Sequence, residues 1–229
     1  MDGVIALDDG STDGSTEYLA SRPEILELIQ VPPDRPEWDE VGNYHRLVDA
    51  GVRNGADWLV SLDSDERVER QFRERLEWVI ARGRLLRISA YHVRLRELWD
   101  SPDHYRVDGI WGRKTRSRIF RARGGAKLDP RPLHGTKVPL ADLRPGRSAL
   151  ADLELYHLRM VDTDDRKARR HRYELADPNC VWQPGVGYAY LTDERFLELR
   201  RVQPDRDYDG RPGDAAIPAD HGSANPVAS

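Results

Sequence analysis

The sequence predicts an α/β fold, a mixed and mostly parallel sheet with helices on both faces. Three observations predict it. Short apolar runs of strand length stop at acidic, Gly- and Ser-rich turns at Asp8 and at Asp63. Stripes of helical period fill the chain between and after them. The order strand, helix, strand, helix, strand, helix over residues 1–83 is that of parallel strands joined by crossovers.

Val4-Ile5-Ala6-Leu7 is a buried strand that breaks at Asp8-Asp9-Gly10-Ser11-Thr12-Asp13-Gly14-Ser15. Ser11, Thr12 or Asp13 caps a helix to about Ala20, with Tyr18 and Leu19 turned inward. Ile25 to Val31 is a second strand closed by Pro32-Pro33, and Asp34 to Glu40 is a polar loop. Val41, Tyr44, Leu47, Val48 and Val52 then form one apolar helical stripe ending at Asn54-Gly55. Trp58 to Leu62 is a strand that stops at Asp63-Ser64-Asp65-Glu66. Val68, Phe72, Leu76, Val79 and Ile80 share one face of a longer helix, closed by Gly83.

The second half changes character. Ile88 to Leu98 alternates as a strand does, Arg118 to Arg121 brackets another, and Asp100 to Lys114 is loop-like. Leu153 to Met160 is a strand containing His157, and Asp162 to Leu175 is a charged helix. Gly185 to Tyr190 is an aromatic turn, and Thr192 caps a last helix to about Arg201. Residues 203–229 hold only Tyr208, Ile217 and Val227 as large apolar groups and read as a disordered tail. The expected domain is therefore 1–202, divided into halves at 1–83 and 84–202.

Composition excludes several function classes. The 36 Lys and Arg against 40 Asp and Glu leave a net charge of −4, which argues against a nucleic-acid binder. No apolar stretch is long enough for a transmembrane helix, and no signal peptide is visible, so the expected location is the cytoplasm. The one cysteine, Cys180, reads as a small buried hydrophobe.

The chemistry is concentrated in the two acidic clusters. Ligands of open α/β sheets sit beyond the carboxyl ends of strands, so Asp8/Asp9 and Asp63/Asp65 are expected to converge on one crevice. In extended chain, residues two apart point to the same side, so Asp63 and Asp65 can address one hard cation, Mg²⁺ or Mn²⁺, that clamps a diphosphate. An isolated Asp-x-Asp more often caps the next helix; the second acidic cluster favours a site.

The run Asp8 to Ser15, then Asn43 in a helix, then Trp58 to Glu66, resembles the family-2 glycosyltransferases of the GT-A fold. The resemblance covers residues 2–70 well and the remainder more loosely. It implies a GT-A (Rossmann-like) sheet, a nucleotide-diphosphate sugar donor, Mn²⁺ or Mg²⁺, and a glycan or lipid-linked acceptor that would hold the protein peripherally at a membrane. It places Asp8 and Asp9 by the nucleoside, Asn43 on the donor-side helix, Asp63 by the ribose or sugar, and Asp65 on the metal with a late histidine, His157. Gly42 stands where the family often carries an arginine. Where members carry the carboxylate of the catalytic base, this chain has Leu133-His134-Gly135. His134 and Asp108 are the two candidate bases; the loop around Asp108 reads equally as an ordinary turn with Trp111 in the core. Arg113, Lys114, Arg116 and Arg118, and Arg169, Arg170 and Arg172, read either as anion ligands or as solvated faces. Members begin with a further strand and helix, so the first β-α unit is expected to be missing, by a misassigned start or a natural truncation. Two other readings stand beside transfer: a binding relic of the same fold, and a nucleotidyltransferase, which would carry a Gly-rich phosphate loop before Asp8.

Overall fold

The computed structural model describes residues 2–34, 39–131 and 135–211. These form two compact units, the first from the described residues of 2–57 with 122–126, the second from those of 58–121 with 127–211.

In the first unit β1 (Val4–Asp8) and β2 (Ile25–Gln30) pair in parallel, with α1 (Ser15–Ala20) crossing between them and α2 (Glu40–Arg53) following. The expected cap of α1 is displaced. Its N-cap is Gly14 at φ 87°, a left-handed conformation that glycine alone adopts cheaply. Tyr18 is exposed, with Arg22 over its ring, not turned inward. α2 starts where Asp39 accepts from the Gly42 N–H at 2.8 Å and ends at Asn54. A side chain at residue 42 would meet that capping carboxylate, which accounts for glycine at this position.

The second unit carries a five-stranded sheet in the order β3-β7-β5-β8-β4. Its strands are β3 (Trp58–Val60), β4 (Glu66–Val68), β5 (Ala90–Glu97), β7 (Thr115–Arg121) and β8 (Ser148–His157). β6 (His104–Arg106) pairs antiparallel with β9 (Leu199–Arg201). The α/β class holds, but the sheet is mixed, not mostly parallel. Within it only β5 and β8 run parallel, while β3·β7, β4·β8 and β5·β7 are antiparallel. The reason lies in the connections. No α-helix separates β5, β6 and β7, and strands joined by short connections without a helical crossover run antiparallel.

Tyr91, Val93 and Leu95 alternate from β5 onto Phe72 and Leu76 of α3 (Phe72–Leu85), with Ile119, Leu153 and Leu155 completing the core. Val68, expected in that helix, lies in β4. Gly83 lies inside α3 and does not end it, because the Tyr91 hydroxyl occupies the place of a Cβ there, donating to the Val79 carbonyl at 2.9 Å.

Two aromatic clusters close the far side. Trp99, Trp111, Met160, Tyr188 and Leu191 pack under α4 (Thr163–Ala176), which Asp162 caps. Tyr156 stacks on Tyr208 at 4.7 Å, and the Tyr208 hydroxyl donates to the Pro102 carbonyl at 2.7 Å. The disorder expected from residue 203 therefore does not hold for 203–211. Tyr208 is fully buried, which contributes roughly 2–3 kcal/mol toward ordering the segment. Nor does a helix run from Thr192 to Arg201. That segment ends in β9, because Glu194 is drawn to Arg166 and the Glu198 N–H to Asp108. No helix among the described residues is long and apolar enough to cross a membrane.

Candidate functional site

The first unit holds Asp8, Asp9 and Asn43. Asp8, at the end of β1, is buried and accepts from the Ser11 N–H at 3.1 Å and from the Thr16 hydroxyl. Burial works against its charge, but these donors hold its pKa below the ordinary value. Asp9 accepts from the Asn43 amide at 2.9 Å, and Asn43 accepts from Arg46 at 2.6 Å. One carboxylate, one amide and one guanidinium thus form a line that links the β1 loop to the first turns of α2.

The second unit holds the denser constellation. Beyond β3 the chain turns at Ser64–Asp65 and enters β4. A turn thus stands where the sequence predicts extended chain for Asp-x-Asp, and the two carboxylates take different partners. Asp63 accepts from Lys137 and, at 3.3 Å, from Arg118. Asp65 meets the His157 Nε2 at 3.3 Å. The neighbouring Glu66 is buried, pairs with Arg118, and accepts from the Asp63 N–H at 3.1 Å.

His157 closes β8, opposite Glu66 in the register of β4. Its Nδ1 lies 2.5 Å from Glu97 Oε2, and the other oxygen of Glu97 takes Lys114. Lys114 in turn sits 4.6 Å above the ring of the buried Trp111. Burial opposes charge on His157, yet Glu97 and Asp65 together raise its pKa to about 9. Glu97 is lowered well below its ordinary value despite complete burial, by Lys114 and His157. Asp65 is lowered as well: burial opposes ionisation, and His157 outweighs it. Arg169 of α4 adds its field to Asp65 and Glu97. Four carboxylates (Asp63, Asp65, Glu66, Glu97) therefore stand among five cationic groups (Lys114, Arg118, Lys137, His157, Arg169).

Among the described residues no group of three or more His, Cys, Asp or Glu is arranged to hold a metal ion. Asp65 and His157 are nonetheless spaced for two places on one ion, which the imidazole can take once Nε2 gives up the proton it directs at Asp65. Adjacent ligands of an octahedral Mg²⁺, each about 2.1 Å from it, are about 3 Å apart, and these two atoms are 3.3 Å apart. Glu97 on the opposite nitrogen is the carboxylate that orients a ligating histidine.

The two candidate bases fare differently. Asp108 is clasped by Arg106 through bonds of 2.7 and 2.9 Å and accepts from the Glu198 N–H at 3.2 Å. Arg106 holds its pKa below the ordinary value, which makes Asp108 a weak base. Trp111 lies in the core, as the ordinary-turn reading has it. His134 lies outside the described residues.

No known family model matches the chain. It is similar to two proteins described as uncharacterized, one from Mycobacterium bovis and one from Mycobacterium tuberculosis. Each is 26% identical over 223 residues, covering 90% of this chain and 54% of the relative. The chain thus spans about half the length of the curated relatives it matches.

Sequence reasoning passed over Glu97, Lys137 and Arg166. Glu97 carried a signal: it occupies the buried register of β5 after Tyr91, Val93 and Leu95, where an acid requires a partner. Lys137 carried none, being one cation in a Pro- and Gly-rich stretch. Arg166 is almost wholly buried, bonded to the Met160 carbonyl at 2.6 Å and Asp100 at 2.7 Å, with its guanidinium over Trp99. Its basic neighbours in α4 hid it. Of that run, Arg169 turns to the site, while Arg170 pairs with Glu174 on the surface.

Proposed function

We propose that the chain is a metal-assisted glycosyltransferase of GT-A type, moving a sugar from a nucleotide-diphosphate donor to a glycan or lipid-linked acceptor. The observation that carries the reading is the Asp65–His157–Glu97 line, in which the second acid of Asp-x-Asp meets a late histidine fixed by a buried carboxylate. The likeness of residues 8–15, 43 and 58–66 to family-2 sequences supports it from the other side.

Asp65 and His157 would hold Mg²⁺ or Mn²⁺, which when bound supplies positive charge to the departing diphosphate. Glu97 fixes the ring of His157 and keeps Nε2 directed at Asp65. Lys137 and Arg118 hold Asp63 in place for a ribose or sugar hydroxyl. Asp8 fixes the loop after β1, and Asp9 with Asn43 offers an acceptor and an amide to the nucleoside. Asp108 is committed to Arg106, so of the two candidate bases we assign the proton-accepting role to His134.

A second reading has one observation in its favour. Asp63 and Glu97 are already matched to cations without any ligand, as in a binding relic that kept its fold and lost turnover. Calorimetry on the purified chain tests the proposal. Uridine or guanosine diphosphate is expected to bind at least tenfold more tightly with Mn²⁺ than with chelator. Absence of binding by either nucleotide under both conditions would defeat it.

A further inference from the structure

A cleft of about 700 Å³ opens on the second unit, lined by Arg96, Arg113, Arg200, Val107, Ile110 and two glycines. No acid among the described residues lines it, although the chain as a whole has more acids than bases. From this we propose that the cleft binds an amphiphilic phosphate ester, with the phosphate on the arginines and the apolar chain along Ile110.

The three arginines are not equivalent. Arg96 is compensated, bonded to Glu154 at 3.0 Å and lying over the ring of Tyr105 at 4.8 Å. It forms the fixed floor. The exposed side chains of Arg113 and Arg200 have no ion pair or hydrogen bond among the described residues. Of the nearby acids, Asp108 is engaged by Arg106, Asp193 by Arg195 and Glu194 by Arg166, while Glu198, whose backbone meets Val107, does not line the cleft. Two uncompensated guanidiniums facing one cleft suit the bidentate geometry of phosphate oxygens.

The loop between them is built to present these groups. Gly109 takes φ 50°, and a Cβ on Gly112 would fall 2.2 Å from the Val107 carbonyl oxygen. The turn is therefore closed on glycine, with Trp111 buried beneath and Ile110 and Arg113 left outside. The loop is tied to the segment before β9 by the Val107 N–H, which donates to the Glu198 carbonyl at 2.9 Å. That segment carries Phe196 at 80% and Leu199 at 38% exposure, while Ile110 is 56% exposed. Large apolar side chains exposed beside uncompensated cations match a ligand with a charged head and an apolar chain. Arg113 directly precedes Lys114, which pairs with Glu97, so the cleft adjoins the candidate site along the chain. That its ligand would be the sugar acceptor rests on the function proposed above; the binding itself does not.

The test is calorimetry on the full chain with dihexanoylphosphatidic acid below its micelle concentration, against dihexanoylphosphatidylcholine and inorganic phosphate. The phosphatidic acid is expected to bind at least tenfold more tightly than either comparator. Arg113→Glu and Arg200→Glu should each weaken it at least tenfold. Ile110→Ser should weaken phosphatidic acid and leave inorganic phosphate unchanged. All three positions are exposed, and unchanged circular dichroism and melting confirm the variants are folded. Sedimentation with phosphatidic acid vesicles separates two sources: pelleting marks a membrane-borne ligand, and short-chain binding without pelleting marks a soluble one; both uphold the cleft. No binding of the short-chain lipid, equal binding of inorganic phosphate, or unaltered affinity in both arginine variants overturns it. Since no nucleotide is present, failure here leaves the donor-binding result untouched, and the converse holds.

Discussion

Glu97 holds two cations at once, Lys114 on one oxygen and His157 on the other, and is itself almost wholly removed from water. Such a group carries more than its own bond, because deleting its charge strands both partners in a medium of low dielectric. Burial already lowers the pKa of Lys114, with Glu97 opposing that shift. Glu97→Gln keeps the shape and removes the charge. It is expected to cost about 3–5 kcal/mol in urea unfolding; a loss below about 1 kcal/mol would show that the cations do not depend on it. Asp65, by contrast, is partly open, and among the described residues its carboxylate has His157 as its close partner. It is the member of the cluster whose loss should be felt in ligand binding more than in stability.

At the level of elements, Asp129 shows how one side chain ties two points of a connection, Arg131 and Thr136, together. Asp129 accepts from the Arg131 side chain and backbone and from the Thr136 N–H. The Arg131 guanidinium is the main cause of a pKa lowered from 3.8 to about 2. A carboxylate depressed on folding stabilises the fold fully above its unfolded pKa, and that contribution fades as pH falls through the folded one. Wild type should therefore lose more melting temperature than Asp129→Asn between pH 5 and pH 2. Parallel losses would contradict the role given to Asp129.

The same scale explains what the sequence made legible. β1, β2, α2 and α4 could be read because each presents one unbroken period and a clear terminus: Asp8 after β1, Asn54 after α2, Asp162 before α4. β4 escaped because three residues, Glu66 to Val68, carry no period, and Val68 fits the helical stripe beyond it. The segment at 203–211 escaped because composition averages over a tail, whereas Tyr208 finds one slot against Tyr156. In the site, Asp65 was readable as a ligand-type residue just after a strand, and His157 as one inside a strand. Glu97 and Lys137 were not, since their significance depends on which strand lies beside which.

For the molecule as a whole, the five-stranded mixed sheet places the ends of β5 and β8 side by side, Glu97 opposite His157 in a parallel register. That adjacency is what brings a carboxylate, an imidazole and Asp65 into one line. The central claim is that this line serves transfer from a nucleotide sugar. It is tested most directly by nucleoside diphosphate release from uridine and guanosine diphosphate sugars, with Mn²⁺, by wild type and by Asp65→Ala. Slow metal-dependent release by wild type, reduced at least a hundredfold in the folded variant, is the predicted result. Equal release by both proteins, or no release by wild type from any such donor, would contradict it.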